Sequence, residues 1–162
     1  MTLPTLDKST VVNALRAELE SELAGVESMA AMARDEATSA ETKAEGKYDT
    51  RATEASYLAR GQAWRIAELR KLSAWLATER ACAPLANPVV QVAALVSVEG
   101  ARSEWVYVAP IGGGKATVEG CTINIISLAS PLGSAMEGLE NGDAFEVQTP
   151  NGMRDYEITA LR

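Results

Sequence analysis

The feature that most constrains the fold is a stripe of apolar side chains that recurs at steps of three and four residues. The stripe begins at Val12, continues through Leu15 and Leu19, and ends among alanines at Ala44. Because positions three and four apart share one face of an α-helix, the stripe predicts a helix of about 35 residues, ~50 Å long. A helix of this length needs a partner along its apolar face.

A second apolar stripe follows a short break and supplies that partner. The break contains Gly46, which favours the end of a helix, and Asp49 and Thr50, which can cap the next helix. Two helices joined by a short link pack side by side in opposite directions, so we predict an antiparallel two-helix coiled coil. The second stripe consists of Ala55, Leu58, Gln62, Ile66, Leu69, Ser73 and Leu76.

The composition changes at residue 84. Five of the six prolines, most of the glycines and most runs of β-branched residues follow this point. Pro84 and Pro88 prevent a helix from continuing and favour extended backbone before them. We therefore predict two domains, a coiled coil in residues 1–83 and a sheet domain in residues 84–162.

The sheet domain shows the alternation typical of β-strands. Ser130 can cap a short helix that begins at Pro131, and residues 150–152 have the composition of a hairpin turn. The predicted fold class is α+β, with the coiled coil followed by a small antiparallel sheet and one short helix. The predicted strands lie at residues 89–98, 104–109 and 122–128, with two more that contain Phe145 and Ile158.

Charge and composition exclude several classes of chemistry. The chain has no histidine, which rules out imidazole bases, His-ligated zinc and Ser-His-Asp triads. Its net charge of −7 argues against the phosphate backbone of nucleic acid as a direct ligand. Cys82 and Cys121 are too far apart for a CxxC element, and we expect both thiols to be reduced and buried.

The chain shows no targeting or membrane signal. Its first ten residues lack the basic and apolar regions of a signal peptide, and no run approaches the ~18 apolar residues of a membrane span. We expect a soluble, cytoplasmic protein without membrane contact.

Several motifs in residues 90–162 occur in the order and spacing of a known family. The first motif contains a helix start of the form Ser-Pro-Leu followed by small residues. Together they resemble the C-terminal domain of bacterial Gre transcript-cleavage factors. The motifs are IISLASPLGSAMEG at 125–138, NGD at 141–143, VQTPNG at 147–152 and YEI at 156–158.

The resemblance implies a fold and a partner. It implies an FKBP-like C-terminal domain that docks on RNA polymerase, and a coiled coil that enters the secondary channel of the polymerase. The protein would then be an accessory factor and not an enzyme, because the polymerase supplies the catalytic centre. The expected polymerase-binding residues are those of the most specific motifs, Ser130, Pro131, Leu132, Gly142 and Asp143.

The turn of the coiled coil departs from the family pattern. Gre factors carry an acidic pair there that helps hold a catalytic metal, and the candidates in this chain are Asp49, Glu45 and Glu54. Asp49 is the best placed to give an oxygen to a Mg²⁺ ion shared with the polymerase, while the protein has no cofactor of its own. The pair is not preserved at the family's spacing. Aligning the segment on Gly46 offers Asp49 as the first acid, whereas aligning it on Tyr57 places Thr50 and Thr53 at the acidic positions. Stimulation of cleavage and occupation of the channel without cleavage both stay open.

Aromatic and basic side chains occupy the face of the second helix that points away from its apolar stripe. Tyr57, Trp64 and Trp75 share one direction, with Arg60 and Lys71 beside them. We expect Trp75 to pack on the sheet domain. Tyr57, Arg60, Trp64 and Lys71 are candidate contacts with another chain.

Two further functions are kept as alternatives. A peptidyl-prolyl isomerase needs an aromatic-lined pocket, for which the sheet domain offers Trp105, Tyr107, Phe145 and Tyr156. A structural adaptor could instead self-associate through the face that contains Trp64. We expect a monomer or a weak homodimer.

Overall fold

The computed structural model describes residues 4–41 and 50–162, with side chains described for residues 4–36, 54 and 56–162. The predicted turn with Gly46 and Asp49 lies outside these residues. The helices are α1 (Lys8–Glu41), α2 (Thr50–Leu76), α3 (Glu79–Cys82) and α4 (Pro131–Met136). The strands are β1 (Leu95–Glu99), β2 (Ser103–Val108), β3 (Lys115–Val118), β4 (Cys121–Ile126), β5 (Ala144–Thr149) and β6 (Gly152–Leu161).

Asp7 caps the start of α1. Its carboxylate accepts hydrogen bonds from the Ser9 hydroxyl and from the backbone N–H of Thr10, the latter at 3.0 Å. These hydrogen bonds, that of Ser9 first, lower the pKa of the Asp7 carboxyl. The cap satisfies N–H groups that have no partner within the helix.

Most buried members of the predicted apolar stripes lie in the half of each helix away from the turn, and Ala30 is the exception. Leu58 departs from the prediction, because its side chain is 68% exposed although it continues the direction of the second stripe. The buried members of the stripes are Val12, Leu15, Leu19, Ala30, Ile66, Leu69 and Leu76.

The chain divides into two compact units. One unit comprises Met1–Leu19 and Leu72–Arg162, and we call it the sheet unit. The other comprises Glu20–Lys71, and we call it the finger. The predicted division at residue 84 stays a prediction.

The six strands form one mixed sheet in the order β3-β4-β2-β1-β6-β5. Neighbouring strands are antiparallel except β2 and β4, which pair in parallel with Tyr107 opposite Ile125. The α+β class is confirmed, although this parallel pair makes the sheet mixed where the sequence predicted an antiparallel one. A strand pair of this kind depends on a partner distant in the chain, so local alternation does not reveal it.

Two strands differ from their predicted bounds. The run predicted as a strand from residue 89 becomes one only at Leu95, because Ala93 has a positive φ of 76° that breaks the extended backbone. Val90 instead exchanges backbone hydrogen bonds with the segment after α4, donating to Leu139 and accepting from Gly138. The sequence did not predict β3, which pairs with β4 after the glycine loop at 112–114.

The core of the sheet unit lies between the sheet and α4. Met136 of α4 is fully buried against strand residues such as Val98, Val106 and Ile158. At another point of the unit, Gly114 has a φ of +99°, and a Cβ there would lie 2.7 Å from the Leu19 side chain of α1. The absence of a side chain at Gly114 therefore allows α1 to pack on the loop.

Candidate functional site

Ser130 organises the start of α4. Its Oγ accepts a hydrogen bond from the backbone N–H of Gly133 at 3.0 Å and donates one to the carbonyl of Ser127 at 2.7 Å. Pro131 occupies the first turn and is exposed, while Leu132 packs partly buried against the core. The predicted docking residues of this motif thus combine a fixed backbone with an exposed surface.

Gly133 allows the close approach on which this motif depends. A Cβ at this buried position would lie 2.0 Å from the carbonyl oxygen of Ser127. No substituted residue tolerates that distance unless the backbone moves. The sequence showed a small residue in the motif, but only the packing shows that it must be glycine.

Gly142 and Asp143 form the turn that leads into β5. Gly142 has a φ of +92°, and its N–H donates to the carbonyl of Ile158 at 2.7 Å. The Asp143 carboxylate accepts from the backbone N–H of Glu140 at 2.8 Å. The predicted tight turn is confirmed, and its carboxylate is used at least in part to hold the turn.

The two predicted docking motifs belong to neighbouring elements. The turn runs directly into β5, and α4 contacts β5. The two motifs therefore precede or begin elements that pack on each other, α4 after Ser130 and β5 after Asp143. Their role in binding a polymerase stays a prediction.

The end of α2 and the following helix α3 are joined to the sheet within the sheet unit. The Tyr107 hydroxyl donates to the carbonyl of Ala81 at 2.9 Å. Burial raises the pKa of Tyr107 to about 12, and the neighbouring Trp75 indole opposes this effect to a smaller extent. The indole N–H of Trp75 is buried and has no hydrogen-bond acceptor among the described residues. Trp75 packs near the sheet, as predicted, and the Arg80 guanidinium lies 5.6 Å from its ring centroid.

A cavity of about 580 Å³ opens beside the start of α1. The Lys8 ammonium is buried there and donates to the carbonyl of Ala83 at 2.7 Å. Burial lowers the pKa of Lys8, and the neighbouring Cys82 raises it to a smaller extent. Cys82 and Cys121 are free thiols, half-buried where we expected full burial. The other lining residues are Asp7, Pro84, Leu85, Ala86, Pro88, Glu140, Asn141, Leu161 and Arg162.

The four aromatic residues considered for an isomerase pocket do not line this cavity. Trp105 and Tyr107 are buried, and Phe145 stacks on Tyr156 with ring centroids 5.6 Å apart. The described part of the chain thus gives the isomerase alternative no support.

Two ion pairs join the helices of the finger. The Arg65 guanidinium lies 2.5 Å from the Glu22 carboxylate, and that of Arg70 lies 2.6 Å from Glu27. All four side chains are at least one-third exposed, so each pair contributes about 0–1 kcal/mol. The pairs fix how the two helices face each other more than they stabilise them.

The predicted contact residues of α2 are exposed. The Arg60 guanidinium lies 5.9 Å from the ring centroid of Tyr57, a cation–π contact between residues three apart. Trp64 is exposed without a described partner in the chain, and Lys71 is exposed farther along the helix. The structure therefore brings Tyr57 and Arg60 together and leaves Trp64 open to solvent.

The tip acids are described only in part. Glu54 is exposed on the first turns of α2, whereas Glu45 and Asp49 lie outside the described residues. The described residues contain no group of three or more acids or cysteines that could hold a metal ion. An exposed carboxylate such as Glu54 is compatible with one ligand to an ion whose other ligands come from elsewhere.

Sequence inspection missed Met29 and Met32 of α1. Both are exposed, at more than 60% of their surface. The signal was present in the sequence, because both residues fall outside the apolar stripe that predicts α1.

Residues 86–162 match the sequence model of the family described as "Transcription elongation factor, GreA/GreB, C-term". This part of the chain is therefore similar in sequence to the C-terminal domain of GreA/GreB factors. The match includes the five predicted docking residues and confirms the resemblance to Gre-type factors.

Individual Gre proteins align over shorter segments. GreA of Cereibacter sphaeroides is 40% identical over 52 residues, which cover 32% of this chain and 32% of that protein. GreA of Rhodospirillum rubrum is 49% identical over 37 residues, covering 23% of this chain and 24% of that protein. The chain thus matches about a third or less of the length of these curated relatives.

Solved structures of Gre-type proteins are similar at low identity. Gfh1 of Thermus aquaticus is 18% identical, with 93% of this chain and 95% of that chain covered and a TM-score of 0.39. A GreA/GreB factor of Nitrosomonas europaea is 21% identical, with 70% and 94% covered and a TM-score of 0.34.

No helix among the described residues combines the length and apolar character needed to cross a membrane.

Proposed function

We propose that this Gre-type chain binds RNA polymerase through its sheet unit and acts through the secondary channel with its finger. The observation that carries the proposal is the GreA/GreB family match over residues 86–162. α1 has 34 residues and α2 has 27. At a rise of ~1.5 Å per residue, two such helices supply a hairpin long enough for this role. The protein supplies no complete active site in this proposal, because the polymerase performs the chemistry.

The docking surface is the exposed start of α4 together with the turn at Gly142. Pro131 is exposed, and the hydrogen bonds of Ser130 hold the backbone around it in one conformation. A surface that is already ordered loses little conformational entropy on binding. The ordered backbone at the start of α4 therefore favours binding to a partner.

Docking is tested with Pro131→Glu, which adds a charge to the exposed surface. We expect it to weaken binding to purified core polymerase at least tenfold in a fluorescence anisotropy titration. Thr117→Glu is the matched control, because Thr117 is exposed on β3 at the sheet edge opposite β5. Equal binding by both variants and the unchanged chain would contradict the assignment.

At the tip, Asp49 is the proposed ligand to a Mg²⁺ ion shared with the polymerase, with Glu45 and Glu54 as further acids. A bound Mg²⁺ would polarise phosphate oxygens and lower the pKa of a water molecule. The tip carboxylates would bind the ion and orient it, since Mg²⁺ prefers oxygen ligands.

A second candidate function is occupation of the channel without cleavage. The specific observation in its favour is Thr53, which stands at one of the acidic positions of the family pattern. With a single acid the finger would block access to the active site without completing the metal site.

The deciding experiment adds the protein to a backtracked elongation complex and measures short 3′ RNA fragments. If Asp49 is a metal ligand, Asp49→Asn abolishes fragment release with little change in polymerase affinity, and high Mg²⁺ partly restores it. Asp35→Asn, which removes an exposed charge from α1, is the control and should retain activity. Inhibited elongation without fragments at any Mg²⁺ concentration would support channel occupation instead.

A further inference from the structure

The cavity beside the start of α1 contains a buried cation that lacks an opposite charge. Lys8 is only 9% exposed, and its ammonium makes one hydrogen bond, at 2.7 Å to the carbonyl of Ala83. An ammonium has three N–H donors, so the other two of Lys8 have no acceptor among the described residues. A buried charge lowers the stability of the fold unless an opposite charge pairs with it.

The two acids of the cavity wall do not supply that opposite charge. Asp7 uses its carboxylate to cap α1 through Ser9 and Thr10, and Glu140 is exposed. Within the described part of the chain, no carboxylate forms an ion pair with the Lys8 ammonium. Burial lowers the pKa of Lys8, whereas a paired carboxylate would raise it. The ammonium is therefore available to an anion that enters the cavity.

The rest of the wall selects the kind of anion. Arg162 adds a second cation, so the formal charges of Lys8 and Arg162 balance those of Asp7 and Glu140. A multiply charged anion, such as a phosphate ester, would be repelled by the two acids, which favours a single carboxylate. An apolar body on that carboxylate would meet the five apolar residues of the wall: Pro84, Leu85, Ala86, Pro88 and Leu161.

The cavity has the size and the ordered walls of a small-molecule site. Its volume of about 580 Å³ falls within the range of about 300–1,000 Å³ that is common for such sites. The backbone of Arg162 exchanges hydrogen bonds with that of Leu95 at 2.8 and 2.9 Å, and the Asp143 carboxylate accepts from the N–H of Glu140. A site whose walls are already ordered loses little conformational entropy on binding.

We propose that this cavity binds a small organic monocarboxylate. The carboxylate accepts hydrogen bonds from the two remaining N–H groups of Lys8, and the apolar body packs against the wall that contains Pro84 and Pro88. Hydrogen bonds between an ammonium and a carboxylate are stronger than those between neutral groups, so Lys8 contributes most of the selectivity. This inference goes beyond polymerase binding, because the wall contains none of the predicted docking residues or tip acids.

The proposal is tested by titrating the full chain with benzoate and with hexanoate up to about 10 mM, followed by proton–nitrogen correlation NMR spectra. We expect saturable binding with a dissociation constant of about 1 mM or less, and shifts of backbone amides within residues 82–86 and 140–141. Benzamide and hexanamide have the same apolar parts without the charge. They should bind at least tenfold more weakly.

Two variants address the charge and the space separately. Lys8→Met keeps the length of the side chain and removes the charge, and Ala86→Phe narrows the cavity while Lys8 is unchanged. We expect each variant to weaken benzoate binding at least tenfold. Lys115→Met on β3 and Ala101→Phe between β1 and β2 are the matched controls at exposed positions outside the cavity, and they should change the affinity less than twofold.

Several outcomes overturn the proposal. The first is an unchanged chain that binds neither carboxylate at about 10 mM, or that binds the amides equally well. The others are unchanged affinity in Lys8→Met or Ala86→Phe, equal losses in the controls, and shifts confined to other parts of the chain. Near-UV circular dichroism shows whether Lys8→Met is folded, and if it is not, Ala86→Phe alone decides the result.

Discussion

Among the described glycines, Gly133 leaves the least room for a side chain. A Cβ atom added there would lie 2.0 Å from the carbonyl oxygen of Ser127. We expect Gly133→Ala to force the start of α4 away from Ser127 and to lower the free energy of unfolding by about 1–3 kcal/mol. Urea denaturation followed by the near-UV circular dichroism signal measures this change.

Ser134→Ala is the control for that variant. Ser134 is exposed in the same helix, and its hydroxyl donates a hydrogen bond to the carbonyl of Pro131 at 3.2 Å. Its loss should change the free energy of unfolding by about 0.5 kcal/mol or less. Similar values for the two variants would show that the contact of Gly133 with Ser127 does not control the stability of α4.

Because of Tyr107, the free energy of unfolding depends on pH under alkaline conditions. Its pKa is raised to about 12 in the folded chain, above the ordinary value of 10.0, so the neutral hydroxyl is favoured by folding. This contribution is fully present below pH 10 and is lost as the pH rises towards 12, because the unfolded chain ionises first. We expect the unfolding midpoint in urea to fall as the pH rises from 10.0 to about 12.

Tyr107→Phe isolates the effect. This variant is less stable at pH 8, because the carbonyl of Ala81 loses its donor, but it should lose less stability at high pH. Lys8 changes the stability in the opposite direction. Burial lowers its pKa, so the free-energy cost of the buried ammonium in the folded chain decreases as the pH rises and the group loses its proton. Both chains contain Lys8, so the difference between them reports Tyr107. Parallel pH profiles would contradict the role of Tyr107.

At the scale of single elements, α2 is packed unevenly along its length. Ile66, Leu69 and Leu76 are buried, whereas Tyr57 and Leu58 are exposed. We expect backbone amides of residues 56–60 to exchange with deuterium at least tenfold faster than those of residues 66–76, because less buried surface opposes local opening. Mass spectrometry of peptic fragments measures this, and uniform protection along α2 would contradict it.

Local sequence patterns predicted those helices and strands whose form is determined by neighbouring residues in the chain. The three- and four-residue spacing of Val12, Leu15 and Leu19 was sufficient for α1, and Ser130 was sufficient for the start of α4. The patterns failed where a distant partner decides, as at Val90, whose hydrogen bonds go to the segment after α4. Leu58 has an apolar position in the stripe but is exposed, and spacing alone does not show this.

The candidate site was predictable to a similar extent. The docking motif and its turn could be identified from the sequence, because Ser, Pro and Gly have narrow backbone preferences. The need for glycine at Gly133 could not, since it depends on Ser127 reaching the helix from an adjoining loop. The pairing of the two helices also required the structure, because the Glu22–Arg65 ion pair shows which of their charged side chains meet.

At the scale of the whole molecule, the sheet unit extends beyond residue 84. Tyr107 bonds to Ala81, Lys8 bonds to Ala83, and Leu19 packs at Gly114. We therefore expect a fragment of residues 84–162 to fold but to melt at a lower temperature than the intact chain, as followed by fluorescence of the buried Trp105.

The matched comparison removes the finger alone. A chain in which residues 20–71 are replaced by a short glycine-serine link keeps both terminal parts of the hairpin that belong to the sheet unit. This chain should melt close to the temperature of the intact protein. If it melts as low as the 84–162 fragment, the contacts at Tyr107, Lys8 and Leu19 do not support the sheet.

The position of β6 between β1 and β5 also determines when the sheet can be completed on the ribosome. Synthesis proceeds from the N-terminus, so the residues of α1 and α2 emerge from the ribosome before those of any strand. β5 pairs with β6 and reaches the rest of the sheet only through it, although it is translated earlier. Until residues 152–161 have left the exit tunnel, β1 keeps an open edge and the apolar side chains of β5 remain uncovered. The nascent chain thus presents a finished helical hairpin and an unfinished sheet at the same time.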